Sequence, residues 1–145
     1  MGIEQLEPFI GGWKLEADVP GASGVEARAV FEWILDDQFL LERSEVAHPA
    51  APDGYCIVGP SSEGGGYTQH YFDSRGIARV YAMTFENGEW ELLRVTPDFT
   101  PLDFSQHYVG RFTDDGNRIE GQWETSSDRG QSWELDFHLN YTKVA

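Results

Sequence analysis

The sequence predicts an all-β protein: one domain folded as an antiparallel up-and-down β-barrel of about ten strands, with a short N-terminal helix. Three observations predict it. From Trp13 onward apolar and polar residues alternate with a period of two. Turn signals interrupt the alternation at a spacing of roughly 8–12 residues. The connections between runs are mostly hairpin-sized, which favours sequential neighbours over crossings. An open sheet of that many strands leaves two unpaired edges, and closure removes them. A chain of 145 residues is the size of one domain, here 1–145, and can bury a core without covalent staples.

The elements follow in order. Ile3 to Ile10 places apolar residues at 3, 6, 9 and 10, the spacing of one short helix that Gly11-Gly12 ends. Trp13 to Val19 alternates as a first strand, and a turn follows at Pro20 to Gly24. Val25 to Leu35 keeps Val25, Ala27, Ala29, Phe31, Trp33 and Leu35 on one face. Asp36-Asp37 turns the chain into a third strand, Gln38 to Val46. Pro49 and Pro52 make His48 to Gly54 a loop. Tyr55 to Gly59 is a fourth strand, and Ser61 to Gly66 a glycine-rich turn. Tyr67 to Asp73 and Ile77 to Phe85 form a hairpin around Ser74-Arg75-Gly76. Asn87-Gly88 is a type I′ hairpin signal leading to Trp90 to Val95. Thr96 to Phe104 is a longer connection. Ser105 to Thr113, Arg118 to Thr125 and Gln131 to Val144 complete the set, with turns at Asp114 to Asn117 and Ser126 to Gly130.

The chain carries 25 acidic and 10 basic residues, a net charge of −15. That charge repels phosphate backbones and anionic bilayers, so neither nucleic acid nor membrane is an expected partner. No run resembles a calcium loop, no Cys/His cluster suggests a metal, and no cofactor is called for. The single Cys56 reads as a small buried apolar residue. The start, Met1-Gly2-Ile3-Glu4-Gln5, has neither the basic nor the apolar segment of a leader, and no stretch approaches 18 apolar residues. The expected compartment is the cytoplasm.

Parity then assigns the lumen. Trp133, Leu135, Phe137, Leu139 and Tyr141 oppose Glu134, Asp136, His138 and Asn140. Ile119, Gly121 and Trp123 oppose Glu120, Gln122 and Glu124. Tyr108, Gly110 and Phe112 oppose His107 and Arg111, and Trp90, Leu92 and Arg94 oppose Glu91 and Leu93. Arg79, Tyr81, Met83 and Phe85 share the inner face. The predicted lumen is therefore aromatic, with Arg79 and Arg94 among the rings. A buried guanidinium cannot be neutralised, so it must pair with an internal carboxylate such as Glu42 or Glu45, or with a ligand. The start of the third strand is apolar on both parities, which leaves the face of Arg43 open. Gln69 and His70 fall on opposite faces of their strand.

A short helix, Gly11-Gly12-Trp13 opening the first strand and a barrel-sized meander together resemble the calycin superfamily: lipocalins, fatty-acid-binding proteins and nitrobindin-like haem barrels. The likeness is greatest to bacterial single-barrel members. Gly11-x-Trp13 matches the lipocalin Gly-x-Trp signature, whereas Leu15 and Ala17 depart from the nitrobindin pattern. The resemblance implies a small-molecule binder and, through nitrobindin, a haem reading that rests on His138. That residue shares its face with Glu134, Asp136 and Asn140, a solvated set.

The leading expectation is a small hydrophobic or amphipathic ligand, neutral or anionic, in the lumen. Its candidate contacts are Trp33, Arg43, Gln69, Arg79, Tyr81, Arg94, Tyr108, Trp123 and Phe137, with Thr96 to Phe104 as a lid. The alternative is a small isomerase, cyclase or hydrolase using His70 with Tyr71 or Tyr81. A third reading is a filled barrel that associates through its acidic exterior. A homodimer is the expected protein partner.

Overall fold

The computed structural model describes residues 2–21, 24–49, 51–61, 66–99 and 101–144. Parts of the expected turns at 20–24 and 61–66, together with Ala50 and Thr100, lie outside the described residues. Ten strands form one closed antiparallel barrel in which every strand pairs with its sequence neighbours. They are β1 (Gly11–Ala17), β2 (Ala27–Ile34), β3 (Phe39–Val46), β4 (Gly54–Pro60), β5 (Tyr67–Asp73), β6 (Ala78–Glu86), β7 (Glu89–Arg94), β8 (Ser105–Thr113), β9 (Arg118–Ser126) and β10 (Glu134–Lys143). Closure comes from β1 on β10, with Trp13 opposite Lys143 and Ala17 opposite Leu139.

The barrel has two unlike ends. One is stoppered by residues Ile3–Phe9, which form a 3-10 helix rather than an α-helix. Pro8 removes a backbone donor inside it, and seven residues are too few to repay α nucleation. Leu6 and Phe9 point down into the barrel and are fully buried. The Phe9 ring lies 4.9–5.3 Å from those of Phe31, Phe85, Trp90 and Phe112. Trp13 donates its indole N–H to the Phe9 carbonyl at 2.8 Å. Gly11, at φ 130°, makes the bend from helix into β1. The opposite end is ringed by the described residues of the longer connections, 18–21, 24–26, 47–49, 51–53, 95–99, 101–104 and 127–133.

Inner-face parity holds for β6, β7, β8 and β9. It fails at two places. Leu35 is not on the face of β2: it turns the chain at φ 52°, with Asp36 and Asp37 also left-handed, and is 70% exposed. In β10 the register shifts between Leu135 and Phe137. A bulge there turns the preceding side chains to the other face. Leu135 is consequently exposed, and the Trp133 ring sits outside against the His107 imidazole, 5.5 Å away.

Candidate functional site

The helix-side half of the lumen is a packed aromatic core. The buried polar and ionisable side chains therefore lie in the middle of the barrel and at its opposite end, the mouth.

The middle is crossed by Tyr108, Tyr141, Trp90, Glu42 and Cys56, all buried. Tyr108 reaches this position because two glycines face each other across β8 and β9, Gly110 opposite Gly121. A Cβ on Gly121 would overlap the Tyr108 hydroxyl, and one on Gly110 would press on the same ring. The ring thus lies flat on the wall, and its hydroxyl donates to the Leu139 carbonyl at 3.1 Å. The Gly121 N–H donates to the Asn140 side chain at 3.0 Å. Glu42 faces this lumen from β3. The Tyr141 hydroxyl donates to it at 3.4 Å, a long bond. Burial, opposed by the Tyr141 and Cys56 hydrogen bonds, raises its carboxyl to about 7. Burial also pushes the Cys56 thiol well up, as does the neighbouring Glu42 charge, so Cys56 is no thiolate nucleophile. The Trp90 indole N–H is buried with no hydrogen-bond partner among the described residues.

The mouth is built by the hairpin β5–β6 and by β7 to β10. Arg79 lies opposite Tyr71 on the inner face. Its Nε is buried without a hydrogen-bond partner among the described residues, and its guanidinium sits 5.9 Å over the Phe104 ring. The Tyr81 hydroxyl donates to Gln106 at 2.9 Å. Its ring is 5.8 Å from that of Trp123, which in turn is 5.1 Å from Tyr108. Phe137 stands opposite Trp123. Gln69, opposite Tyr81, is buried on the same wall. Burial raises the Tyr81 hydroxyl, with nearby Arg79 pulling the other way. Burial and the bond to Asp73 raise that of Tyr71. Both phenols stay protonated at neutral pH.

Arg94 is saturated from within. Its Nε and Nη2 take the two Asp98 carboxylate oxygens at 2.8 and 3.0 Å, and Nη2 also reaches the Pro101 carbonyl at 3.4 Å. The Asp98 bond raises the Arg94 guanidinium further. Asp98 accepts the Val80 N–H as well, at 2.8 Å. It does so where β7 has stopped pairing with β6, at Ala82 opposite Leu93, and β6 has a free donor. The connection expected to be a lid is therefore buckled to the barrel wall. Neither Glu42 nor Glu45 pairs with Arg94: Glu42 lies deeper, and Glu45 is outside, 3.6 Å from Arg28.

Other candidates are dispersed. Trp33 is at the helix end, bonded to Glu7 at 3.1 Å, beside a surface cleft of about 650 Å³ lined also by Ile3, Asp37 and Phe39. Arg43 stands on the outer wall, paired with Glu32 at 2.7 Å, because parity places Glu42 and not Arg43 inward. His70 is likewise outward, level with Ile57 and Val80, so it does not share the lumen with Tyr71 and Tyr81. The Tyr71 hydroxyl donates to Asp73 at 2.6 Å, and Arg75 holds the same carboxylate. Burial raises that carboxyl, but the Arg75 and Tyr71 bonds outweigh it and bring it down to about 2.

His138 is on the outer wall, its backbone N–H and Nδ1 both held by Asp18, at 2.6 and 2.7 Å. The groove beside it, about 600 Å³, is lined by Arg111, Glu120, Gln122, Glu124 and Asn140. A porphyrin needs an apolar slot under an axial ligand, and these residues do not fit one. Among the described residues no group of three His, Cys, Asp or Glu side chains is placed to hold a metal, and no helix is long and apolar enough to cross a membrane.

Sequence reasoning named Glu42 only as a partner for arginine, and missed Asp98 and the orphaned Trp90. Parity on β3 carried the first signal. Asp98 carries none, because its partners are brought to it by the barrel.

No family model matches the chain, and no curated protein matches it. Among solved structures, the crystal structure of Rv2717c from M. tuberculosis superposes with a TM-score of 0.65 over 99% of this chain and 97% of that one, at 14% identity. In fold, across nearly its whole length, the chain is similar to that barrel.

Proposed function

We propose that the open mouth of the barrel binds a small, largely apolar molecule ending in an anionic group, as calycin-like binding barrels do. One observation carries this reading: the inward Arg79, whose buried Nε has no hydrogen-bond partner among the described residues, set among the Tyr81, Phe104 and Trp123 rings. A buried donor left unmade costs about 1–3 kcal/mol, more when charged. A carboxylate satisfies it and matches the guanidinium fork. The apolar body lies on the rings, the usual lining of a small-molecule site. Arg94 has its own carboxylate, so it shapes the mouth rather than gripping the ligand.

The test is a titration of intrinsic tryptophan fluorescence with medium-chain fatty acids and aryl carboxylates, each beside the alcohol of the same skeleton. Trp123 in the mouth reports occupancy. The expected result is saturable quenching or blue shift by carboxylates, at least about tenfold weaker for Arg79→Met, with the alcohols unaffected by the substitution. No response across the panel, or equal loss for acids and alcohols, removes the proposal.

A further inference from the structure

One wall of the barrel is unlike the others. The outward side chains of β4, β5 and β6 are Tyr55, Ile57 and Gly59, then Thr68, His70 and Phe72, then Ala78, Val80, Ala82 and Thr84. None is an acid, a lysine or an arginine, and the first formal charge on that face is Glu86, at the rim. Six of the other seven strands present at least one such charge outward: Lys14 and Glu16 on β1, Arg28 and Glu32 on β2, Arg43 and Glu45 on β3, Glu89 and Glu91 on β7. Arg111 on β8 and Glu120 and Glu124 on β9 continue the circuit, whereas β10, whose outward side chains include Leu135, His138 and Asn140, is a single strand set between the charged β1 and β9. Within the neutral wall Tyr55 stands opposite Phe72, and these are 54% and 42% exposed. Leu93, on the flanking strand beside Ala82, is exposed too.

From this we infer that the β4–β5–β6 wall is a self-association face, and that its occupant is a second copy of this chain packed wall to wall about a two-fold axis. The charge balance selects the occupant. A basic partner gains most on the charged walls and nothing here. A second copy also carries −15, so it is repelled from every wall except one that bears no charge. An isologous contact between two such walls buries aromatic rings and sets no like charges opposite each other. Its scale is modest. Three strands about 4.8 Å apart and seven residues of about 3.3 Å span roughly 14 by 23 Å. With its flanks the contact belongs to the small, reversible class of interface. The inference does not depend on the ligand at the mouth, which opens at the end of the barrel.

Sedimentation velocity on the full chain tests it, over about 10 μM to 1 mM. The expected result is a monomer–dimer equilibrium that strengthens as salt rises from about 50 to 500 mM, because screening relieves the repulsion between two acidic copies. A salt-bridged interface would weaken instead. Phe72→Glu and Tyr55→Glu, both at half-exposed positions, are each expected to weaken the dimer at least about tenfold. Leu135→Glu, exposed on β10, leaves it unchanged. Circular dichroism melts of each variant confirm the fold. A monomer at every concentration and salt overturns the inference, as does a dimer that both wall substitutions leave intact. A monomer that instead floats with zwitterionic vesicles through Phe72 overturns it too, and gives the wall to a lipid surface.

Discussion

At the scale of the residue, Glu42 makes the sharpest statement. It is a carboxyl in an aromatic lumen, and burial sets its folded value near 7 against an ordinary 4.5. The folded value is the higher one, so the fold prefers the protonated form. Its contribution to stability is complete below about pH 4.5 and is lost as the pH rises through about 7. The gap corresponds to about 3 kcal/mol. Glu42→Gln keeps the shape and removes the charge. Urea unfolding at pH 5 and pH 8 is expected to give the variant little change at the lower pH and about 2–3 kcal/mol of added stability at the higher. A wild-type protein as stable at pH 8 as at pH 5 would contradict this account.

Gly121 is the second residue-scale case. Its Cβ would meet the Tyr108 hydroxyl, which is bonded to Leu139 and has nowhere to retreat. Gly121→Ala is expected to cost about 1–3 kcal/mol or more by overpacking, read as a lower Tm. In the Gly121→Ala/Tyr108→Phe pair only part of that cost should return, because the ring Cζ would still stand 2.5 Å from the new Cβ. The residue scale is also where the sequence was most legible and most misleading. Alternation on β6 to β9 placed Arg79, Tyr81, Arg94, Tyr108 and Trp123 inward, because apolar and polar residues there take strict turns. On β3 the opening Phe39-Leu40-Leu41 fits either parity, so Arg43 remained unassigned until its neighbours fixed Glu42 inside. Asp98 was illegible for a different reason: it meets Val80 across 18 residues of chain, and no local pattern announces such a contact.

Elements obey the sequence where their chemistry is local. Asn87-Gly88 forms the expected left-handed hairpin, at φ 53° and 76°. The N-terminal segment is helical as its apolar spacing predicts, yet Pro8 tightens it to a 3-10 helix. The bulge in β10 has no signature in Trp133-Glu134-Leu135-Asp136, and it moved two residues out of the expected lumen. The connection between β7 and β8 shows how an element can be held by one residue. Arg94 is 2% exposed, and Asp98 supplies its bidentate partner and occupies the free donor of β6. Asp98→Ala leaves a buried guanidinium short of its carboxylate. It is expected to destabilise by about 3–5 kcal/mol and to expose 95–104 to limited proteolysis. Asp98→Asn should cost less, since the amide oxygen can still accept.

At the scale of the whole molecule, a barrel with one packed end and one ring-lined end has a direction. The Phe9 stopper and its four aromatic neighbours close one side, so the ligand proposed above would enter and leave past Arg79. The same asymmetry sets what each end tolerates. Phe9→Ala removes a fully buried ring at the centre of four others, and is expected to cost about 3–5 kcal/mol with the mouth unaltered. A fluorescence titration of that variant, run well below its Tm, should return the wild-type affinity.

Closure between β1 and β10 has a consequence for how the protein is made. The strand synthesised first finds its partner in the strand synthesised last. While the ribosome still holds the residues near Lys143, β1 and β9 both stand as open edges, each a template for another chain. The meander can grow hairpin by hairpin as it emerges, but the cylinder cannot shut until β10 is available to β1. A circular permutant that joins the present termini and opens the chain at 127–133 would turn that last, most distant pairing into a hairpin. The closing step only moves, because β10 and β9 then become the first and last strands made, and the permutant should shut no earlier than the parent.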